Sequence, residues 1–295
     1  MRNRRQSRQR IRNANRPIDT TLVMDELHLW SSTLTEGPRN RYLRDHLFSK
    51  LNDPSVCEPL TRRNSAIEKW LATESRNEST NLRLMSPMGD IESNWVRYLR
   101  AFFARVLGDV PPDRIFERGS FSGGASTSRT RTSSHPTAKY IGRADITVDA
   151  LDLFKEFSTQ VWENLSPLDI NVVPGNVMFT VPKTSHIDRV ACKEPDLNMY
   201  MQKAVGSEIR HRLLRHGINL NDQSRNCALA KSASVKGDLA TIDLSSASDS
   251  VTTGLCELLL PPLWYSLLMT IRSPTTEIDG RLHINEMMSS MGNGF

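Results

Sequence analysis

Two aspartates, Asp243 and Asp249, are the residues of this sequence best suited to chemistry. Four mostly apolar residues (239–242) lead directly into Asp243, and small hydroxylated residues separate it from Asp249. The pattern predicts a buried strand with Asp243 at its tip, a turn over 245–248 and a helix that starts near Asp249. A strand tip that holds a carboxylate favours a divalent metal, because hard cations prefer oxygen ligands on a rigid support. Taken alone, Asp249 is explained more simply as a helix cap.

A basic, extended stretch at 181–200 precedes the two aspartates. Lys183 and Arg189 flank a predicted strand and have few acids near them in the sequence. Asp196 is predicted to be the N-cap of the next helix, in which apolar residues recur every fourth position over 201–213. A solvated face explains the cations of that helix well, but it explains Lys183 and Arg189 less well.

A second basic segment, 118–143, contains five cations and no acid. Gly123 and Gly124 allow close backbone approach, and many hydroxyl groups surround them. Positive charge combined with small hydrogen-bond donors suits a phosphate backbone, although the pattern of a nucleotide-binding P-loop is absent. A flexible, solvated loop explains the segment equally well, and both interpretations stay open.

The elements that must position these residues follow from periodicity and turn signals. Apolar positions at helical spacing are clearest over 94–107, a segment that Gly108 ends. Pro174-Gly175 interrupts an alternating segment, which predicts a hairpin over 172–181, and Asp279-Gly280 predicts a second hairpin over 277–284. The other predicted helices cover 20–34, 41–51, 67–71, 151–165, 250–260 and 263–271.

Composition limits the class of protein. The chain has 295 residues, enough for one large domain or two ordinary ones, and no apolar run that could cross a membrane. The net charge of +5 is concentrated in an N-terminal tail in which seven arginines precede the first acid, Asp19. Such a tail binds nucleic acid or is a solubilising or targeting extension, and we expect no secretory signal. The four cysteines lie far apart, which argues against a zinc site or a disulfide framework.

The order of these segments resembles the RNA-dependent RNA polymerases of positive-strand RNA viruses. The resemblance is greatest to the replicase catalytic subunits of the levivirus-type (Qβ-like) RNA bacteriophages, and it runs over about 121–295. ATIDLSSASDS (240–250) resembles motif A of that family, SSMGNGF (289–295) resembles motif B, and VPKTSHIDRVACKEP (181–195) resembles the basic motif F. FSGGASTS, HGINLNDQ and LCELLLPPLW are similar to further stretches of the phage proteins.

The resemblance implies a right-hand polymerase of the α+β class and a set of site residues. Asp243 is implied as a catalytic metal ligand, with the Leu244 carbonyl as a second contact, in a site for two Mg²⁺ ions. Asp249 is implied to lie near the ribose of the incoming nucleotide. Lys183 and Arg189 are implied to hold its triphosphate.

Motif B and the biology of the family complete these expectations. Ser290, Gly292 and Asn293 are implied to support the template and the ribose. The implied substrates are an RNA template and nucleoside triphosphates, in the cytoplasm of a bacterial host and without a membrane. Phages of this group recruit the host elongation factors Tu and Ts, which are therefore candidate partners.

The expected domains are a basic disordered tail (1–18), an N-terminal and fingers region (19–235) and the start of the palm (236–295). Nothing in the sequence matches the Gly-Asp-Asp of motif C, so we expect an incomplete polymerase, cut within motif B and inactive as given. A non-catalytic RNA-binding protein is the main alternative. A metal-dependent nuclease is a third, but it does not require the basic motif upstream of the acid.

Overall fold

The computed structural model describes residues 20–50, 57–161 and 168–295. The predicted basic tail, 1–18, lies outside the described residues, as does the end of the helix predicted over 151–165. The chain divides into two compact units, at residue 59, with 183–186 belonging to the first unit. Each unit is described by itself.

The first unit contains two helices, α1 (Thr20–Ser32) and α2 (Pro38–Lys50). His28 of α1 stacks on Phe48 of α2, with ring centroids 4.6 Å apart. The Ser185 hydroxyl donates to the Phe48 carbonyl at 2.8 Å, which fixes the short segment 183–186 on α2. Both helices predicted in this part of the sequence are confirmed.

The second unit combines helices with two small sheets, so the fold is mixed and agrees with the predicted α+β class. Its helices are α3 (Pro59–Leu84), α4 (Asp90–Leu107), α5 (Val148–Val161), α6 (Asp196–Arg215), α7 (Ser224–Lys236), α8 (Thr253–Leu259) and α9 (Pro262–Ile271). Its strands are β1 (Arg143–Thr147), β2 (Asp169–Val173), β3 (Gly175–Pro182), β4 (Asp188–Lys193), β5 (Thr275–Ile278) and β6 (Arg281–Ile284). Within the described residues, no helix combines the length and apolar character that a membrane crossing requires.

The hydrophobic core lies between α6 and the elements packed on it. Leu197, Met201 and Val205 of α6 are fully buried, together with Ile146 of β1 and Trp264 of α9. The apolar residues of α6 recur every fourth position, so they share one face and pack together. The predicted helices over 94–107, 201–213 and 263–271 are therefore confirmed as core elements.

The hairpin predicted over 172–181 is wrong. β2 ends at Val173 and pairs in parallel with β1, whereas β3 begins at Gly175 and joins a different sheet. That four-stranded sheet has the order β4-β3-β5-β6, with β3 antiparallel to β4 and parallel to β5. Pro174 therefore separates two sheets, because β2 pairs with β1 while β3 pairs with the following strand β4 and with the distant β5.

The second predicted hairpin is confirmed. β5 and β6 pair antiparallel around Asp279 and Gly280, both of which have positive φ, of 50° and 79°. Positive φ at both central residues is the geometry of a tight type I′ turn, and it explains the Asp-Gly sequence.

Asp196 is not the N-cap of α6, because Pro195 occupies that position. The Asp196 carboxylate is instead buried and accepts hydrogen bonds from the Ser126 and Ser128 hydroxyls and from the Asp145 backbone N–H. It therefore ties the acid-free segment 118–143 to β1 and α6.

Lys139 also fixes that segment from within. Its amine is almost completely buried and donates to the Gly124 carbonyl at 2.8 Å. Burial lowers the pKa of the Lys139 amine. Because these groups hold the segment together, a freely flexible loop describes it poorly.

The predicted strand over 239–242 is wrong. Residues 237–244 form no regular structure, and the side chains of Leu239, Ile242 and Leu244 are 54%, 83% and 70% exposed. A strand needs a hydrogen-bonding partner, and no strand in the described part of the chain pairs with this segment. The helix expected near Asp249 is a short 3₁₀ turn, Ser248–Ser250, and α8 begins later, at Thr253.

Candidate active site

The segment 289–295 lies against the edge strand β4. The Cys192 backbone N–H donates to the Met291 carbonyl at 2.8 Å, so the loop continues the hydrogen bonding of the sheet edge. Gly292 has a φ of 113°, and a Cβ atom at this position would lie 2.3 Å from the Cys192 carbonyl oxygen. The close approach of the two segments therefore requires glycine at 292.

Asp249 also lies next to the 289–295 loop. Burial raises the pKa of the Asp249 carboxyl, while hydrogen bonds from the Ser248 hydroxyl and the Met291 backbone oppose that shift in its pKa. The side-chain amide of Asn77, on α3, donates to the Asp249 carbonyl at 2.8 Å. The structure thus brings together Asp249, Met291 and Cys192, which lie in the stretches that resemble motifs A, B and F.

Ser290 and Asn293 shape the loop between them. The Ser290 side chain is buried, and the Asn176 amide donates to its hydroxyl at 3.2 Å. The Asn293 amide donates to the Ser290 carbonyl, and the Asn293 side-chain oxygen accepts from the Phe295 N–H at 2.9 Å. These bonds hold the backbone of 290–295 in one conformation.

A buried polar network supports the loop from below, and sequence reasoning missed it. The Glu194 carboxylate accepts from the amides of Asn176 and Gln202 and from the Ser273 hydroxyl, at 2.7, 3.0 and 2.7 Å. The Gln202 side-chain oxygen in turn accepts from the Gly294 N–H at 3.0 Å. Glu194 lies near the end of the stretch that resembles motif F, but nothing in the local pattern indicates that it is buried.

Arg272 is a buried cation that holds the segment leading into the 289–295 loop. Its guanidinium is buried and donates to the carbonyls of Asn285, Met287 and Met288, just before the loop. Burial lowers the pKa of Arg272, and the nearby carboxylates of Glu74 and Glu194 oppose this shift in its pKa. The base of the loop is therefore held by charged groups inside the fold.

The two predicted triphosphate-binding cations belong to different units. Lys183 is exposed and lies in the first unit, whereas Arg189 is exposed and lies on β4 in the second. Along β4 the side chains alternate, so Arg189 and Lys193 share one face and the buried Cys192 points to the other. Lys193 lies over the Phe179 ring, 5.7 Å from its centroid.

Asp243 and Leu244, the predicted metal contacts, lie on the exposed segment 237–244. Within the described residues, no group of three or more acidic, histidine or cysteine side chains could hold a metal ion. Magnesium requires about six oxygen ligands in near-octahedral geometry. One carboxylate and one carbonyl are the right kind of donor, and Mg²⁺ commonly keeps several waters beside one or two carboxylates, so Asp243 and Leu244 fit part of such a site.

Comparison with known proteins identifies the family of this chain. The sequence profile of the family described as RNA replicase, beta-chain, matches residues 15–295. The chain belongs to this family. Its relatives include the RNA-directed RNA polymerase beta chain of Enterobacteria phage GA, 47% identical over 95% of this chain and 58% of that protein. The RNA-directed RNA polymerase subunit beta of Escherichia virus Qbeta is 38% identical over 87% of this chain and 44% of its own length.

The chain spans about half the length of the curated relatives it matches. The corresponding protein of Escherichia phage MS2 shows the same relation, with 38% identity over 86% of this chain and 48% of the phage protein. The family resemblance predicted from motifs A, B and F is thus confirmed, and it extends N-terminal to the segment in which those motifs were recognised.

Proposed function

We propose that this chain forms the fingers (19–235) and the start of the palm (236–295) of a right-hand RNA-directed RNA polymerase that replicates phage RNA. The observation that carries the proposal is the convergence of three distant segments at Met291. Its carbonyl accepts from the Cys192 N–H, and its backbone also bonds the Asp249 carboxylate. The match to the RNA replicase beta-chain family also favours a polymerase over an RNA-binding protein without catalysis.

Asp249 is suited to recognise the ribose of an incoming nucleotide. A carboxylate offers about four acceptor sites. Ser248 and Met291 use only part of them, so Asp249 retains acceptors for a 2′ hydroxyl. The 2′ hydroxyl is the group that distinguishes RNA from DNA at such a site.

The remaining site residues have two proposed roles, phosphate binding and support of the template and the ribose. Lys183 and Arg189 bind the triphosphate and stabilise the charge that develops on the leaving pyrophosphate. Ser290, Gly292 and Asn293 form a rigid loop that supports the template and the ribose. Their hydrogen bonds and the glycine contact hold that loop against β4.

Asp243 is proposed as the carboxylate, and Leu244 as the carbonyl, that this part of the polymerase contributes to a Mg²⁺ site with two ions. When bound, the metal would supply Lewis-acid stabilisation of the transferring phosphoryl group. Waters and the phosphates of the nucleotide are suited to supply further oxygen ligands, because Mg²⁺ commonly binds through one or two carboxylates together with these groups. Host elongation factors Tu and Ts are proposed partners, and the host cytoplasm is the proposed location.

The test is a chimera in which this chain replaces the matching part of the phage GA polymerase. We expect template-directed incorporation of ribonucleotides into RNA. Asp243→Asn in the chimera should lower incorporation by about 100-fold or more, because it removes a metal ligand. The same change should leave RNA affinity, measured by filter binding, within about twofold, since phosphate contacts dominate that affinity.

The matched control is Asp238→Asn, which changes another exposed acid of the same irregular segment. It should leave incorporation close to that of the unmodified chimera. A folded chimera that binds RNA but incorporates no nucleotide would refute the proposal and favour the RNA-binding alternative. Full activity of the Asp243→Asn variant would refute the assigned role of Asp243.

A further inference from the structure

Helix α3 carries a buried polar face that sequence analysis did not single out. Glu74, Asn77 and Asn81 follow one another at spacings of three and four residues, so they share one side of the helix. All three side chains are buried, at 1%, 3% and 7% exposure. Buried polar groups are costly unless they are hydrogen-bonded, so the partners of this face reveal what it holds.

Asn81 holds the beginning of α8. Its side-chain oxygen accepts from the Gly254 N–H at 2.9 Å, and its amide donates to the Thr253 hydroxyl at 3.1 Å and to the Glu286 carboxylate at 2.7 Å. A Cβ atom on Gly254 would lie 2.7 Å from the Asn81 side-chain oxygen, so α3 and α8 are in tight contact.

Glu74 holds the segment that leads into the 289–295 loop. Its two carboxylate oxygens accept from the backbone N–H groups of Glu286 and Met287, at 2.7 and 3.1 Å. His283 contacts the same carboxylate at 3.2 Å. The carboxylate therefore fixes the backbone two to three residues before the loop that resembles motif B.

Asn77 lies between the two and connects them. Its amide donates to the Asp249 carbonyl and to the Glu74 carboxylate, at 2.8 Å in both cases. A continuous chain of hydrogen bonds therefore runs from the Asp249 backbone through Asn77 and Glu74 to Glu286 and Met287. It joins the two segments that resemble motifs A and B by way of a helix from a distant part of the sequence.

The backbone–backbone bonds between the two segments do not reach Asp249. The Met288 N–H donates to the Val251 carbonyl at 2.7 Å, and the Thr253 N–H donates to the Glu286 carbonyl at 3.0 Å. Both bonds lie C-terminal to the 3₁₀ turn that carries Asp249. The Asp249 carboxylate is bonded to the Met291 backbone, and the bond from Asn77 holds the Asp249 backbone so that this carboxylate can reach the loop.

We propose that Asn77 is a positioning residue, which holds Asp249 against the 290–293 loop and thereby sets the preference for ribonucleotides over deoxyribonucleotides. The inference rests on the proposed function, because it assigns ribose recognition to Asp249. Asn77 itself touches neither substrate nor metal, and it acts through the Asp249 backbone.

The proposed positioning of Asp249 by Asn77 is tested on the 295-residue chain by measuring the hydrogen exchange of single amides. Asn77→Leu keeps the approximate size of the side chain and removes both donated bonds. The Met291 amide, which bonds the Asp249 carboxylate, should exchange about two- to tenfold faster, the loss expected for one hydrogen bond. Asn77→Ser is the second variant, since its smaller side chain leaves room for water if the leucine variant does not fold.

The proposed effect of Asn77 on the preference for ribonucleotides is tested on the polymerase chimera by steady-state kinetics with UTP and dUTP. The ratio of kcat/KM for UTP to kcat/KM for dUTP should fall about two- to tenfold in the Asn77 variants, mainly through KM for UTP. The matched control is Asn81→Leu, which loses bonds on the same buried face but does not contact Asp249. It should destabilise the protein to a similar degree and leave the ratio unchanged.

The outcomes distinguish failure of the inference about Asn77 from failure of the proposed function. Unchanged exchange at Met291, or faster exchange with an unchanged UTP to dUTP ratio, overturns the inference while the proposed function stands. An equal fall of the ratio in the Asn81 control also overturns it, because general loosening of the site then explains the effect. A folded chimera without activity refutes the proposed function, and the assignment of ribose preference to Asn77 falls with it.

Discussion

Replacing Gly292 with alanine tests the contact on which the site depends. The residue has a φ of 113°, and its added Cβ would lie 2.3 Å from the Cys192 carbonyl oxygen. That oxygen belongs to the backbone of β4, which is paired with β3 and cannot move aside cheaply. Relief therefore requires the loop to leave the strand, which breaks the bond from the Cys192 N–H to the Met291 carbonyl.

The magnitude has two parts. A positive φ costs a residue with a Cβ about 1–2 kcal/mol. Forcing an extra carbon into a packed site costs a further 1–3 kcal/mol or so. We therefore expect Gly292→Ala to lower the free energy of unfolding by about 2–5 kcal/mol, unless the loop detaches and limits the loss.

Gly237→Ala is the matched control. Gly237 ends α7 with a φ of 71°, and a Cβ there would meet nothing within 4 Å. Gly237→Ala should therefore lower the free energy of unfolding by about 1–2 kcal/mol, through the positive φ alone and without a steric clash. The difference between the two variants isolates the contact with Cys192.

The assay combines urea denaturation with hydrogen exchange of the Cys192 amide. In Gly292→Ala this amide should exchange faster than in the unmodified protein, whereas in Gly237→Ala it should keep its protection. Equal losses of stability in the two variants, together with an unchanged exchange rate at Cys192, would refute the contact between the loop and β4.

Three further predictions concern buried charges of the second unit. Burial raises the pKa of the Asp249 carboxyl above its unfolded value of 3.8, so the native state holds the proton more tightly and this group destabilises the protein as pH rises above that value. Asp249→Asn should therefore gain stability relative to the unmodified protein between pH 4 and pH 7, as measured by urea denaturation across that range. Asp196→Ala leaves three buried donors without an acceptor and should cost about 3 kcal/mol or more, seen as a lower Tm. Arg62→Met breaks the buried ion pair with Asp188 and should lower the free energy of unfolding by about 3–5 kcal/mol. In a double-mutant cycle, the double variant Arg62→Met with Asp188→Leu should recover most of this loss.

The elements that could be predicted are those that local sequence decides. The helix over 201–213 is recognisable because its apolar positions repeat at the period of a helix and are buried on one side. Asp279-Gly280 is recognisable because few other pairs adopt two successive positive φ values. In both cases the information lies within a few residues, and the tertiary structure does not override it.

The elements that could not be predicted depend on partners distant in the sequence. The two strands on either side of Pro174 look like the arms of one hairpin, yet β2 pairs with residues 143–147 and β3 with residues 275–277. The role of α3 was equally hidden, because its buried Glu74, Asn77 and Asn81 are polar residues that pattern analysis assigns to the surface. Their burial follows from bonds to backbone groups about 170 to 210 residues away.

The candidate site shows both effects within a single stretch, 239–251. Asp249 is held in place by Asn77 of α3 and by the Met291 backbone. It therefore lies next to the 289–295 loop, as its implied position near the same ribose requires. The apolar residues before Asp243 have the composition of a buried strand, but a strand forms only where another strand completes its hydrogen bonds. The edge of β4 is used by Met291, and the described sheets leave 239–242 without a partner. The structure therefore holds Asp249 but leaves Asp243 on an exposed segment, so ribose recognition and metal binding are separable parts of the proposed site.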